Sequence, residues 1–414
     1  MMNTSLCPNV DWVGYVDWSV RDFHGYDTQR GTTYNAYLVR DEQTALIDTV
    51  KAPYAGALLQ AVSERIEPAQ VAYVVCNHAE PDHSGALPQV LAAMPGAALL
   101  CNKKCAATLA QHYDTSAWRI RVVGNGETVS LGKCSLQFLD TPMVHWPESM
   151  ATYLPEHKLL FSMDAFGQHW ATAQRFDDEV PLESLLDEAK AYYANIVMPF
   201  GKPVVALLDR LAAVPIGIIA PSHGLIWRSA IERLLRDYRD WAVCRPRAKV
   251  LVLYDSMWES TASMAEAIWE GASAPGVDAR LMHVRRTSLA QIATETLDAA
   301  AIAFGSATLN RGMMPMAAAV LNYLKGLRPT GKAGLAFGSY GWGLGGPEAV
   351  DEWLKTMDWE ILRPPIKAQY RPTPAVLDEC RAAGVLLAER ARTMGKKELH
   401  DSGTDGCAVA QFSV

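Results

Sequence analysis

The sequence predicts an α/β protein of two successive domains, the second a doubly wound sheet of five parallel strands. Three observations predict it. A chain of 414 residues is long enough, at about 150 residues per domain, for two or three cores. Its composition, 50% hydrophobic and 20% charged, is that of a folded chain and not a disordered one. The pattern also changes at residues 241–249, WAVCRPRAK, where a helical repeat over 230–238 runs into Arg245-Pro246-Arg247. Proline drives its predecessor out of helical geometry, so this stretch reads as a linker. Domains are therefore expected at 1–245 and 249–395, with a loose, polar, glycine-bearing tail at 396–414.

In the first domain, the alternating segments NAYLV and ALIDTV suggest antiparallel strands. Helices are expected near 54–64, 86–94 and 182–196, and further strands at 72–76, 98–101, 136–139, 151–154 and 158–162. This mixture is compatible with two sheets covered by helices, which periodicity alone does not select. In the second domain, strands are expected at 249–254, 280–284, 299–304, 334–337 and about 366–370. Helices at 261–271, 315–325 and 347–357 lie between them, and one at 375–392 closes the chain. Strands alternating with helices imply a parallel sheet, covered on both faces, that binds ligands at the carboxyl ends of its strands.

Composition excludes several classes. Lysine plus arginine is 38 against 45 acidic residues, a net charge of −7 with a pI near 5.8. That balance argues against generic binding to nucleic acid or to an anionic membrane, both of which need clustered positive charge. The longest apolar candidate, 204–220, is interrupted by Asp209 and Arg210 and falls short of a membrane span. The opening MMNTSLCPNVDW lacks the layout of a signal peptide. Eight cysteines form no C-x-x-C pair and no regular framework, so reduced thiols and a cytoplasmic location are expected.

The most informative stretch is CNHAEPDHSG, residues 76–85. His78, Glu80, Asp82 and His83 follow directly on the apolar run VAYVVC. A strand ending in a turn can fan such side chains into one pocket, with Gly85 easing the turn into the next helix. Pro81 would break a helix running through the segment. Two imidazoles and two carboxylates suit zinc, iron or manganese. The plainer alternative is a solvated acidic loop with incidental histidines. Three later segments weigh against it: MVHWP presents His145, SMDAFGQH presents Asp164 and APSHG presents His223, each a polar residue at the end of an apolar run. Four histidines and three carboxylates fit two metals sharing one carboxylate.

His78-x-Glu80-x-Asp82-His83 followed by His145, Asp164 and His223 resembles the metallo-β-lactamase-like fold in its flavodiiron form. The resemblance extends to RDFHGY, GTTYNAYLV, HWPESM, DAFGQH and YYANI. It implies an αββα sandwich for the first domain. It implies one iron held by His78, Glu80, His145 and Asp164, and another held by Asp82, His83, His223 and the same Asp164. Hydrolases of that fold usually have histidine where this chain has Glu80, and a carboxylate there favours iron over zinc. The resemblance also puts His24, His169 and Tyr193 near the irons, where they could hydrogen-bond bound oxygen species or supply protons.

The second domain opens with YDSMWESTASMAE, in which Ser256, Ser260 and Thr261 place hydroxyls around a turn leading into a helix N-terminus. Backbone N–H groups there make an anion site without lysine or arginine. A G-x-x-x-x-G-K loop is absent, which disfavours a nucleoside triphosphate. An ordinary serine-rich cap is the alternative. GSATLN and GSYGWGLGG follow the third and fourth strands on the same rim. Three such loops resemble a flavodoxin and imply FMN. Its contacts would be Ser256, Met257, Trp258, Ser260 and Thr261 in the first loop, and Ser306, Thr308, Leu309 and Asn310 in the second. The third would supply Ser339, Tyr340, Gly341, Trp342 and Gly343, with Trp258, Tyr340 and Trp342 offering aromatic faces.

Diiron domain first and flavodoxin-like domain second is the flavodiiron order, of the rubredoxin:oxygen or nitric-oxide oxidoreductase type. The resemblance implies reduction of O2 to water, of NO to N2O, or both, at irons refilled by FMN. It implies a head-to-tail homodimer, or a dimer of dimers, that brings one subunit's FMN to the other's irons. Without two C-x-x-C pairs the chain has no fused rubredoxin, so the expected donor is a separate rubredoxin, or a reduced deazaflavin. The rival readings are a zinc hydrolase of the same fold and a non-catalytic flavodoxin-type electron carrier.

Overall fold

The structure is a computed structural model that describes residues 5–401. It divides into two compact units, Met1–Ala242 and Val243–Val414. The break lies a few residues before the expected 245/249 boundary, because one helix ends at Ala242 and the next strand already begins at Arg247.

The first unit is an αββα sandwich. Its larger sheet runs in the order Ser5–Cys7, Val10–Trp12, Tyr37–Val39, Thr44–Ile47, Val71–Val75, Ala98–Cys101 and Ile120–Val122. The first four strands are antiparallel, and from Thr44–Ile47 onward neighbours are parallel. The second sheet runs Thr128–Ser130, Ser135–Asp140, Met150–Leu154, Leu159–Met163 and Ile218–Pro221. Alternation sorts the side chains. Leu38, Leu46 and Leu99 pack outward with Leu58, Leu87 and Leu109 of the covering helices. Tyr37, Val39, Ala45, Ile47 and Leu100 face Leu136, Phe138, Leu154 and Phe161 of the other sheet.

The second unit has the strand order second, first, third, fourth, fifth, all parallel. The strands are Arg247–Asp255, Asp278–His283, Ala299–Ser306 and Ala333–Tyr340, and the fifth lane departs from expectation. Two short pieces, Glu360–Ile361 and Ile366–Gln369, pair end to end with the fourth strand. Pro364 and Pro365 stand between them, where missing N–H groups interrupt a ladder. Val250, Val252, Ala301, Ala303 and Leu335 pack with Met264 and Ile268, while Leu251, Leu253, Ile302 and Phe304 are equally buried on the opposite face.

Helices Lys103–His112, Gly201–Leu211 and Leu289–Asp298 were not expected. Two begin at side-chain caps: Asn102 accepts from the Cys105 N–H, and Ser288 from that of Gln291. The helix expected at 182–196 is α-helical only over Leu182–Tyr192 and continues as a π-turn, Tyr193–Val197. The last helix, Pro374–Asp401, runs through the first residues assigned to the tail; residues 402–414 lie outside the described residues. No helix among the described residues is long and apolar enough to cross a membrane.

Candidate functional site

The stretch after Val71–Val75 is tied down before it reaches its polar side chains. Asn77 donates its N–H and its Nδ2 to the buried Asp48 carboxylate at 2.7 and 2.8 Å. No helix runs through Pro81, as expected from sequence. Pro81 starts the single helical turn Pro81–Ser84, a position where its missing N–H costs nothing. Gly85 follows at a point of backbone contact, where an added Cβ would lie 2.3 Å from the Pro81 carbonyl. Asp82 and His83 therefore project from the turn, while His78 and Glu80 come from the loop before it. His145 stands in the loop after Ser135–Asp140, Asp164 directly after Leu159–Met163, and His223 just past Ile218–Pro221.

The structure brings all seven residues together. His78 Nε2 lies 3.1 Å from Glu80 Oε2 and 3.5 Å from Asp164 Oδ2, and His145 Nε2 lies 3.4 and 3.2 Å from the same two oxygens. His83 Nε2 is 3.2 Å from both Asp82 Oδ2 and Asp164 Oδ1. His223 Nε2 is 3.1 and 3.4 Å from that second pair. Asp164 thus turns one oxygen to each group of histidines.

The donor set fits cations. Nε2 of His83, His145 and His223, both Asp82 oxygens and Asp164 Oδ2 are buried without a well-formed hydrogen bond. Burial would push Glu80 up, yet the imidazoles of His145, His24 and His78 hold it far below the carboxylate range. Asp82 and Asp164, also buried, are likewise held well down, with His83 the leading charge in each case. Burial lowers His145 and His223, but Asp164 above all outweighs it and pushes both up to about 9. Without metal, protons on imidazoles balance the carboxylates. Metal binding exchanges those protons for cations.

Surrounding groups fix the ligating side chains. Glu148 Oε1 lies 2.8 Å from His78 Nδ1, and His223 Nδ1 meets the Thr33 carbonyl at 2.6 Å. Glu148 lies in the HWPESM segment, whose own sequence does not mark it as a partner of His78. His24 sits in a hairpin turn at φ 55°, with Nε2 3.4 Å from Glu80 Oε1. His169 places Nδ1 2.7 Å from the Thr32 hydroxyl, and its ring centroid is 5.3 Å from that of His223. Burial holds it well below its usual range, reinforced by His223 and His24, so it is neutral. Tyr193 requires correction. Its ring packs on Tyr238 and Trp241, and its neighbour Tyr192 donates to Asp164 Oδ1 at 2.9 Å. Adjacent helical residues point about 100° apart, so only one of the pair can face the cluster.

In the second unit, the three expected loops lie at carboxyl strand ends. Ser256 precedes helix Ser260–Ala272 and accepts from the Ala262 N–H, while the Thr261 and Ser339 hydroxyls meet at 2.9 Å. Ser306 accepts from the Met314 N–H and Thr308 from the Gly346 N–H, so these hydroxyls shape the second loop. Leu309 and Asn310 form its hairpin end, with Asn310 at φ 51°. Gly345, at φ 146°, passes the Arg311 carbonyl so closely that a Cβ would lie 2.1 Å away. Met257, Trp258 and Trp342 are exposed, the two tryptophans at 84% and 95%. Tyr340, Gly341 and Gly343 complete the third loop, where the exposed Tyr370 donates its N–H to the Tyr340 carbonyl. This rim with uncovered indoles suits a flat ring. The first loop carries no lysine or arginine of its own, but a cation from elsewhere in the chain reaches it. Arg285, from beyond the second strand, pairs with Asp255 at 2.7 Å and donates to the Ser256 carbonyl.

Comparison with known proteins agrees with both units. Residues 32–224 match the family model described as ODP family beta lactamase, and residues 252–384 match Flavodoxin. The nitric oxide reductase of Moorella thermoacetica is 42% identical over 391 residues, 93% of this chain and 98% of that protein. The solved rubredoxin oxygen:oxidoreductase of Desulfovibrio gigas superposes with a TM-score of 0.92 at 38% identity, covering 94% of this chain and 99% of that one. The crystal structure of the flavodiiron protein from Giardia intestinalis gives 0.92 at 36% identity, covering 95% and 97%.

Proposed function

The chain belongs to the flavodiiron protein family, and we propose that His78, Glu80, His145 and Asp164 hold one of its irons and Asp82, His83, His223 and Asp164 the other. It is an oxidoreductase whose substrate is O2, NO or both. One observation carries the reading: each oxygen of Asp164 faces its own pair of histidines, an arrangement that would suit a carboxylate shared by two metals. When bound, two ferrous ions and a reduced FMN hold four electrons, the number that takes O2 to two waters, and two of them take two NO to N2O and water.

The chain's own residues divide the remaining work. Asp164 sets the spacing of the two positions, and Tyr192 restrains it through Oδ1. Glu148 and the Thr33 carbonyl orient His78 and His223. His24 offers Nε2 as the atom through which a proton enters beside Glu80, and the neutral His169 keeps the adjoining wall uncharged. FMN is held at the rim formed by the loops that begin at Ser256, Ser306 and Ser339. The donor is proposed to be a separate rubredoxin, with a reduced deazaflavin as the other candidate. A cytoplasmic location accords with the seven cysteines among the described residues, all free thiols. A head-to-tail homodimer, or a dimer of such dimers, accords with the uncovered Trp258, Trp342 and Tyr370 beside the flavin loops.

The test is consumption of O2 and of NO, measured separately, by chemically reduced protein loaded with iron and FMN. Glu80→Ala is expected to keep FMN and lose turnover. Inactivity toward both gases at full iron and flavin content would overturn the reading. Zinc in place of iron would favour the hydrolase.

A further inference from the structure

Two of these histidines, His78 and His223, have outer nitrogens held by groups of different charge. Behind His78 stands the carboxylate of Glu148, only 2% exposed, at 2.8 Å from Nδ1. Behind His223 stands a neutral backbone carbonyl, that of Thr33, at 2.6 Å. Asp48, a buried carboxylate whose charge is felt by His83 and by His78, makes its hydrogen bonds to Asn77, whose N–H and Nδ2 both donate to it.

Glu148 is itself held firmly. The oxygen that meets His78 also accepts from the Ala79 N–H at 3.3 Å, so it clamps both the ring and the backbone beside it. Its carbonyl accepts from Asn102 Nδ2 at 2.8 Å, and the Asn102 side-chain oxygen caps helix Lys103–His112. The Trp146 ring stands edge-on to His78, with centroids 4.9 Å apart. This is more support than a packing residue requires. A carboxylate on the outer nitrogen of a ligating imidazole fixes its tautomer and raises its basicity, which a neutral carbonyl does more weakly.

We infer that Glu148 is a positioning residue that makes the two iron positions unequal: through His78 it tightens the His78/Glu80/His145 position, whereas the Asp82/His83/His223 position has the neutral Thr33 carbonyl behind His223. This rests on the diiron reading above. The experiment compares wild type with Glu148→Gln, which keeps the shape and a hydrogen-bond acceptor but removes the charge. Both are loaded with iron and titrated with a chelator, and their Mössbauer spectra are recorded. In the variant, one iron per chain is expected to leave at a roughly 10–100-fold lower chelator concentration, and the spectrum of only one iron is expected to shift. Two irons retained as in wild type, or two weakened together, would overturn the inference. Should Glu148→Gln fail to fold, Glu148→Asp keeps the charge at longer reach. It is expected to weaken the same single iron by less than about tenfold, and an equal effect on both irons, or none, counts against the inference. A wild-type chain that never holds two irons would instead sink the diiron reading, a different result.

Discussion

Tyr192→Phe removes one hydroxyl and leaves the ring in place. That hydroxyl donates to Asp164 Oδ1 at 2.9 Å, in a spot where Tyr192 and Asp164 are each only 1% exposed. Asp164 is held ionised by His83, His145 and His223, so the lost bond is one to a charged acceptor. Such bonds contribute about 1.5–3 kcal/mol, more than a neutral pair does. Water cannot replace the donor without opening the cluster. Metal-free protein carrying Tyr192→Phe should therefore lose about 1.5–3 kcal/mol in the transition that unfolds the first unit, roughly ten- to hundred-fold in its equilibrium. Urea unfolding measures it, with flavin fluorescence reporting the second unit separately, because two units need not unfold as one. Tyr193→Phe is the companion variant. It alters a ring set on Tyr238 and Trp241 and is expected to leave iron affinity unchanged. A shift below about 0.5 kcal/mol for Tyr192→Phe would refute the reasoning, showing that Asp164 does not depend on this donor.

Glu188 is pushed up to about 7 from an ordinary 4.5 by burial, with Arg30 compensating only in part. The folded chain thus keeps a proton that the unfolded chain gives up. Stability should fall by about 3 kcal/mol as pH rises through that interval, and Glu188→Gln should be the more stable protein at pH 8, by an amount urea titration can read. Equal stabilities at pH 8 would contradict this. Glu80→His makes the donor set five imidazoles and two carboxylates and should move bound metal from iron toward zinc, as elemental analysis after growth in mixed metals will show; unchanged iron content speaks against hardness as the selector. Gly345→Ala drives a Cβ into the Arg311 carbonyl and should loosen FMN at least about tenfold without altering iron content, a change followed by flavin fluorescence.

What the sequence made legible was local. Each of the seven clustered residues is a polar side chain at or just past the end of an apolar run, and strand ends on one edge of a sandwich converge. What stayed hidden depended on direction or on distant partners. Tyr192 and Tyr193 are indistinguishable in YYANI, because choosing between them requires knowing how the helix is turned about its own axis. Glu148 meets a histidine 70 residues earlier in the chain, and no spacing rule links the two. Arg285 reaches the first flavin loop from across a strand pair, although the loop's own sequence contains no cation. The fifth lane was expected as one strand at about 366–370, and only the register of two separate pieces on one partner strand shows that Glu360–Ile361 belongs to the sheet as well.

The charges of the centre explain why such a cluster can be built into a buried edge at all. Glu80, Asp82, Asp164 and Glu148 carry four negative charges, and two ferrous ions carry four positive ones. With neutral imidazoles these four carboxylates and the two ions sum to zero, the buried Asp48 standing outside that set, and such pairing is what burial demands of a group of ions. The empty site reaches the same balance by another route. His78, His83, His145 and His223 are all shifted toward protonation, so four imidazolium charges can stand in for the metals. Removing Glu148 from this sum leaves one uncompensated positive charge beside His78 in the loaded site, whereas the empty site can release the His78 proton that Glu148 helps to hold. A residue that touches no metal is therefore needed to close the balance, and its place behind a single histidine decides which half of the centre feels its loss.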